Sequence, residues 1–278
     1  MNNKQTIAGV VLTLNEEHDL SRALKSLAWC DELIVVDSGS TDQTHDIAYR
    51  CGAKFLQHIQ TPPFLITDQR NWVLDSACLQ SDWVLFLDAD EEVSSVLAHQ
   101  IVASINSPSS IGAYELTPRY WFMGQWLKFT QGYPNWHPRL VRRGRAHFQG
   151  GVWETFSTKS PVGRLSYPYE HYAFSKGFDD WLERHRRYSS WDASQIVHFL
   201  NSGSMQSSLQ HRSSYLRLLM TRFWYLRPPF RFIQKYFLQL GFLEGWQALL
   251  FSLMMFFYDL MTVIKVIEAL RRKRKQPL

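Results

Sequence analysis

The chain has little of what holds small secreted proteins together. Its three cysteines, Cys30, Cys51 and Cys78, form no CxxC pair, and an odd count leaves at least one thiol unpaired. That argues against a disulfide framework or a zinc cluster and fits a reducing compartment. Neither GxGxxG nor GxxxxGK[ST] occurs, which counts against a Rossmann dinucleotide enzyme and a P-loop nucleotidase. No internal repeat is evident, and 14 Gly and 11 Pro in 278 residues exclude a collagen-like or low-complexity chain. The stretch Met1-Asn2-Asn3-Lys4-Gln5-Thr6 has no apolar run behind a basic start, so no signal peptide is expected and the protein is placed on the cytosolic side.

What is present is 45% apolar and 15% aromatic residues, enough for one sizeable domain and an appendage. The net charge of +5 conceals an asymmetry. Residues 1–100 hold 15 acids against 6 bases, whereas residues 212–278 hold 12 bases against 3 acids. A basic, aromatic C-terminal end predicts an anionic partner, either a membrane surface or a nucleic acid.

The first hundred residues alternate between strand and helix patterns. Ile7–Leu14, Leu33–Asp37 and Trp83–Leu87 are short β-branched and apolar runs of the kind buried on both faces. Leu20, Leu24 and Leu27 recur at helical spacing behind Asn15-Glu16-Glu17, which reads as a helix cap. Further helices are expected near 42–51 and 70–79. The alternation implies an α/β fold with a mainly parallel sheet flanked by helices. Ligands of such sheets gather at the carboxyl ends of the strands, where Asn15, Asp37 and Asp88 all fall. Residues 111–172 read as loops and short strands, 178–199 as a helix, and the polar run 201–208 as a linker.

Asp88-Ala89-Asp90 follows a strand and offers two carboxylates on one side of an extended segment. Such hard oxygen donors suit Mg²⁺ or Mn²⁺, with substrate phosphates completing the shell. Asp37 leads into Ser38-Gly39-Ser40-Thr41-Asp42, where Ser40 or Thr41 is also placed to cap the next helix. His137 and His171 have no second ligand at useful spacing, so no zinc is assigned.

Four ordered runs carry a resemblance: Val11–Glu17, Val35–Asp42, Gln69-Arg70-Asn71 and Phe86–Asp90. Together they resemble the signatures of family 2 glycosyltransferases with the GT-A fold, over about residues 6–95. Arg139–Arg143, Gly151-Val152-Trp153-Glu154, His171-Tyr172, Arg231-Phe232 and Gly241–Gly245 are similar to the branch of lipopolysaccharide inner-core β-1,4-glucosyltransferases. That branch usually has Val-His-Glu where this chain has Val-Trp-Glu.

The resemblance implies a metal-dependent, inverting transfer of a sugar, glucose by family, from a UDP-sugar to a lipid-linked glycan. Thr13, Asn15 and Glu17 would border the base and ribose, Asp37 would accept from the base, and Arg70 would face the base or diphosphate. Asp90, with Asp88 beside it, would hold the metal. Glu154 is the candidate base for the acceptor hydroxyl, with Glu91 and Glu92 as alternatives and an ion pair with Arg142 or Arg143 as its structural role. Arg119, Arg139, Arg142, Arg143 and Arg145 suit an anionic acceptor or a solvated surface.

Residues 1–200 are accordingly read as the glycosyltransferase domain, with 1–100 binding the nucleotide-sugar and 101–200 the acceptor. Residues 201–278 form a helical, basic, amphipathic membrane-associating region. Within it, Gly245–Ile264 carries one charge, Asp259, near the length of a bilayer span. Its polar positions nevertheless fall on one side, and Arg271–Lys275 follow, which favours a helix lying on an anionic membrane over a spanning or core helix. These features place the chain at the cytoplasmic face of a bacterial inner membrane. The alternatives are a polyprenyl-phosphate glycosyltransferase and, from another class, a non-catalytic nucleic-acid-binding protein, which would leave the paired aspartates without a role.

Overall fold

A computed structural model describes residues 4–60, 65–76, 79–150, 154–202 and 221–278. The chain divides into two compact units, one of Met1–Trp121 and Tyr133–Ser175, the other of Phe122–Gly132 and Lys176–Leu278. Cys78, Gly151-Val152-Trp153 and the remainder of the expected linker beyond Ser202 lie outside the described residues.

The first unit holds a seven-stranded sheet. Its strands are β1 (Ile7–Thr13), β2 (Glu32–Asp37), β3 (Lys54–Gln57), β4 (Trp83–Asp88), β6 (Ala113–Leu116), β9 (His137–Arg142) and β12 (Val162–Arg164). Their order is β12-β6-β9-β4-β1-β2-β3. β4, β1, β2 and β3 run parallel, and β9 enters antiparallel between β4 and β6. The expected α/β class with a mainly parallel sheet is therefore the observed one. Among the shorter strands, β5 (Glu91–Glu92) pairs with β13 (Tyr169–His171), which also pairs with β7 (Pro118–Phe122); β8 is Gln125–Trp126. β10 (Ala146–Gly150) and β11 (Glu154–Thr158) form a separate hairpin.

Alternation along β1 builds two cores. Ile7 and Val11 point into one face with Leu20, Leu24 and Leu27 of α1 (Leu20–Ser26) and its following turn. Leu97 and Ile101 of α4 (Ser95–Asn106) join them there. Ala8 and Val10 face the other side with Val73 and Leu74 of α3 (Ile66–Asp75) and with Phe148. The register sets Thr13 opposite Asp37 and Leu12 opposite Asp88. All three polar residues thus emerge at one edge because parallel strands end together.

Two local expectations are revised. Asn15 does not cap a helix: it sits at φ 57°, and α1 begins only at Leu20. Neither Ser40 nor Thr41 caps α2 (Thr44–Arg50); Asp42 accepts from the Thr44 amide at 3.0 Å instead. Both residues are occupied by contacts between loops, described below.

The second unit is built on two long helices, Gly177–Ser202 and Gly245–Lys273. The first of these packs on the second, and both fall in the same compact unit. Glu244, buried just before the terminal helix, accepts hydrogen bonds from the amides of Phe129 (2.7 Å) and Thr130 (2.8 Å) and from the Thr130 hydroxyl (2.5 Å). Lys235 Nζ donates to the Thr130 carbonyl at 2.9 Å. Gly241 makes this closeness possible, because a Cβ there would lie 2.6 Å from the Lys235 carbonyl oxygen and 2.8 Å from Thr130 Oγ1. Glu244→Ala would orphan the amides of Phe129 and of the buried Thr130 together with the Thr130 hydroxyl, and we expect a loss of about 3 kcal/mol in chemical denaturation. Gly241→Ala should destabilise through the clash while leaving those donors paired.

Candidate active site

At the carboxyl edge of β1 and β2, two loops are laced together by side chains of the first sequence motifs. Asp37 is 1% exposed and has both oxygens filled. Thr13 Oγ1 (2.9 Å) and Ser40 Oγ (2.5 Å) donate to Oδ1, and the amides of Gly39 (2.9 Å) and Ser40 (2.8 Å) donate to Oδ2. Asn15 Oδ1 accepts from the Thr41 amide at 2.8 Å, and the Asn15 amide donates to Ser40 Oγ at 2.8 Å. Glu17 Oε2 accepts from the Gln43 amide at 3.0 Å, and Asp42 Oδ2 accepts from the Glu17 amide at 3.0 Å. A carboxylate offers about four acceptor sites, and protein donors take all four on Asp37. Thr13, Asn15, Glu17 and Asp37 thus share one hydrogen-bonded rim, within which Asp37 shapes the loop that it begins.

Beside that rim lies a buried charge cluster. Arg70, 1% exposed on α3, donates through Nη1 to Glu154 Oε2 and through Nη2 to Asp88 Oδ1 (3.1 Å). Its guanidinium lies 5.2 Å from the Phe148 ring centre and 5.8 Å from that of Phe86. Arg139 on β9 donates from Nη2 to Asp88 Oδ2 (3.0 Å) and Glu91 Oε1 (2.7 Å). The Glu91 carboxylate also takes the Asp88 amide at 3.0 Å. Burial opposes ionisation of Asp88, but Arg139 and Arg70 outweigh it and hold the carboxyl well below its ordinary range. For Glu91 and Glu154 burial prevails over those arginines, and both carboxyls are pushed up. Glu154 Oε1 is buried with no hydrogen-bond partner among the described residues. The partner of Glu154 is thus Arg70, not Arg142 or Arg143.

Asp90 and His171 meet across this cluster, with Oδ2 and Nε2 3.5 Å apart. His171 Nδ1 lies 3.7 Å from Glu91 Oε1. Burial lowers the His171 pKa, but Asp90, Glu91 and Asp88 together raise it above its ordinary value. The sequence reading gave His171 no second ligand. The pairing of β13 with β5, which sets His171 opposite Glu91, brings it to Asp90 from 81 residues away, a proximity without any local spacing signal. His137 has a different fate: burial and then Arg139 push it down to about 3, so it stays neutral.

Among the described residues no three His, Cys, Asp or Glu side chains form a ready-made metal cage. An oxygen and an imidazole donor at Asp90 and His171 still fit a divalent ion that takes its remaining ligands from a substrate diphosphate. The electrostatics agree. Asp88, Asp90, Glu91 and Glu154 bring four carboxylates against the guanidiniums of Arg70 and Arg139 and the imidazole of His171, so the cluster offers a diphosphate no free positive charge of its own.

The expected surface arginines divide. Arg139 is buried and committed to Asp88 and Glu91, which corrects its assignment to an anionic acceptor. Arg119 pairs with Glu170 at 3.0 Å, and Arg143 donates to the Leu79 carbonyl. Arg139→Ala would leave Glu91 buried without its cation, costing about 3 kcal/mol. Because the Glu91 carboxyl is raised in the folded state, protonation relieves the loss at low pH and the loss grows as pH rises. Denaturation midpoints measured at pH 5 and pH 8 should therefore differ more for the variant than for the parent chain.

The family model for Glycosyl transferase family 2 matches residues 10–150. An uncharacterized glycosyltransferase of Rickettsia conorii is 40% identical over 98 residues, which are 35% of this chain and 33% of that protein. The chain spans about a third of the length of such Rickettsia relatives. The lipopolysaccharide core biosynthesis glycosyltransferase LpsC of Rhizobium meliloti is 24% identical over 238 residues, 84% of this chain and 82% of LpsC. Among solved structures, glucosyl-3-phosphoglycerate synthase from Mycobacterium tuberculosis aligns with TM-score 0.39 and 24% identity, over 50% of this chain and 57% of that one. The matched region runs from β1 through the paired aspartates to the hairpin before Glu154, and the chain belongs to glycosyl transferase family 2.

Proposed function

We propose that the chain is an inverting, metal-dependent glycosyltransferase. It moves a sugar, glucose by family resemblance, from a UDP-sugar to a lipid-linked glycan such as the lipopolysaccharide core, at the cytoplasmic face of a bacterial inner membrane. LpsC, similar over most of the chain, is a lipopolysaccharide core biosynthesis glycosyltransferase, which supports the class of acceptor. The observation that carries the chemistry is the division of labour among carboxylates around Arg70: Asp88 held ionised, Glu154 raised and half-paired.

In this reading the laced loops of Thr13, Asn15 and Glu17 border the base and ribose, and Asp37 acts on the base side through the loop it orders. Asp90 and His171 would hold Mg²⁺ or Mn²⁺, with Asp88 beside them, and the ion would take the place of the imidazole proton. A divalent ion at this position supplies neutralisation of the charge that develops on the departing nucleoside diphosphate. Arg70 fixes one oxygen of Glu154 and leaves Oε1 to accept the proton of the acceptor hydroxyl. The acceptor oxygen bonds to the anomeric carbon as the bond to the diphosphate breaks, which inverts the configuration.

Calorimetric titration with UDP and Mn²⁺, repeated with chelator and on Asp90→Ala, tests the donor site. We expect metal-dependent binding that is lost in the variant; binding to no nucleoside diphosphate would overturn the reading. Glu154→Gln should keep UDP binding and lose at least about a hundredfold in transfer. A base must be ionised, and the Glu154 carboxyl is raised, so kcat should fall as pH drops through a value above the ordinary glutamate pKa of about 4.3. Arg70→Gln removes an opposing charge and should move that acid limb up by roughly one unit. Analysis of lipid products separates a glycan acceptor from polyprenyl phosphate.

A further inference from the structure

Fifteen of the 29 exposed large apolar side chains among the described residues lie between Phe223 and Ile267. A soluble surface rarely gathers so many in one segment. Along the helix Gly245–Lys273 they form a stripe at helical spacing: Trp246, Leu249, Leu253, Phe257, Ile264 and Ile267, from 36% to 61% exposed. At 1.5 Å per residue the stripe is about 32 Å long. In the segments just before the helix, Leu238 (68%) and Leu243 (61%) are exposed as well.

The opposite face of the helix is buried and sets polar groups among small and apolar ones, Ala248, Met254, Val263 and Val266. Ser252, Asp259 and Thr262 are each 0% exposed. Asp259 is held by Arg227 Nη2 at 3.2 Å and Arg231 Nε at 2.9 Å. Arg227 also pairs with Asp192 at 3.0 Å, which accepts from the Tyr258 hydroxyl at 2.7 Å. Lys265 Nζ donates to the Arg186 carbonyl and to the Ser189 and Ser190 hydroxyls at 2.6 to 2.8 Å. The helix therefore keeps its ion-paired Asp259 inside the unit while a stripe of large apolar side chains faces outward.

We infer that this face is a monotopic docking surface for an anionic lipid bilayer, and that the helix lies in the membrane plane without crossing it. Two observations select that occupant and that orientation. Arg271, Arg272 and Lys273 in the last turn of the helix, with Arg274 and Lys275 directly after it, all exposed, supply the positive charge that anionic headgroups attract. The helix Gly177–Ser202 packs along the terminal helix through Asp192, Ser189 and Ala193. That neighbour exposes Glu183, Arg186 and Arg187, which a spanning arrangement would carry into hydrocarbon at heavy cost. An in-plane arrangement leaves those charges in water and wets only the apolar stripe with lipid.

The inference deepens the membrane location of the proposed enzyme but rests on the second unit alone, so its test is separate from the donor titration. The full chain, carrying a C-terminal epitope after Leu278, is mixed with sealed vesicles of phosphatidylcholine alone or with one-quarter phosphatidylglycerol. We expect at least about tenfold stronger flotation with the anionic vesicles, reduced by high salt, and an epitope that added protease still removes. Leu253→Glu with Ile264→Glu should lose about tenfold or more of that binding while the circular-dichroism spectrum and thermal midpoint, measured as a folding control, are unchanged. Replacing Arg271, Arg272, Lys273 and Arg274 by Gln should abolish the preference for anionic lipid. Undiminished flotation of the double glutamate variant overturns the docking face, and a protected epitope overturns the in-plane orientation. A dimer in solution that the glutamates dissociate, with no vesicle binding, would assign the face to a second copy of the chain and likewise overturn the inference.

Discussion

The site depends on two guanidiniums taken out of water. Arg70 is 1% and Arg139 5% exposed, and neither is affordable in a protein interior without carboxylates arranged around it. Asp88 answers both, one oxygen to each. That single residue thereby ties α3 to β9 through the end of β4 and becomes the fixed point from which the other groups are set. Glu91 completes the Arg139 side, and Glu154 completes the Arg70 side.

The consequence is a separation of carboxylates that are chemically alike. Asp88 lies between two cations and is held ionised, whereas Glu91 and Glu154 each have one direct arginine partner and are pushed up by burial. Asp90 faces an imidazole instead of a guanidinium, and an imidazole can give up its proton to a metal, which a guanidinium cannot. In the proposed reading, pulling the pKa values of neighbouring acids apart is what would let one small region supply a permanent anion, a metal ligand and a base. The same principle runs through the second unit for a different end. There Asp259 and Arg227 are paired inside while a stripe of large apolar side chains of the same helix as Asp259 stays outside.

Much of the fold was legible because it is written in local patterns. The runs at Ile7–Thr13, Glu32–Asp37 and Trp83–Asp88 are strands where they were expected, since parallel strands buried on both faces must be continuously apolar. The helices at 44–50 and 66–75 fall near their expected places. The cap at Asn15 was misread because a side chain that suits a helix N-terminus equally suits a bond across to another loop, and here Thr41 takes it. Helix periodicity in 177–202 states that a face is apolar, not which partner covers it, so the grouping of this helix with the terminal one could not be read from the sequence.

The sequence alone determined the strand–helix alternation, the acidic edge at Asp37, Asp88 and Asp90, and the basic run after an apolar helix, because each depends on neighbours within a few residues. Only the tertiary structure decided that Arg139 is an internal clamp, that His171 stands beside Asp90, that Glu154 belongs to Arg70, and that Asp259 lies inside while Phe257 lies outside. These are pairings between residues 51, 81, 84 and 28 or more positions apart in the chain. Charge partnerships over such distances leave no periodicity to read: they are set by which strand lies beside which and by the need to neutralise ions once water has been excluded.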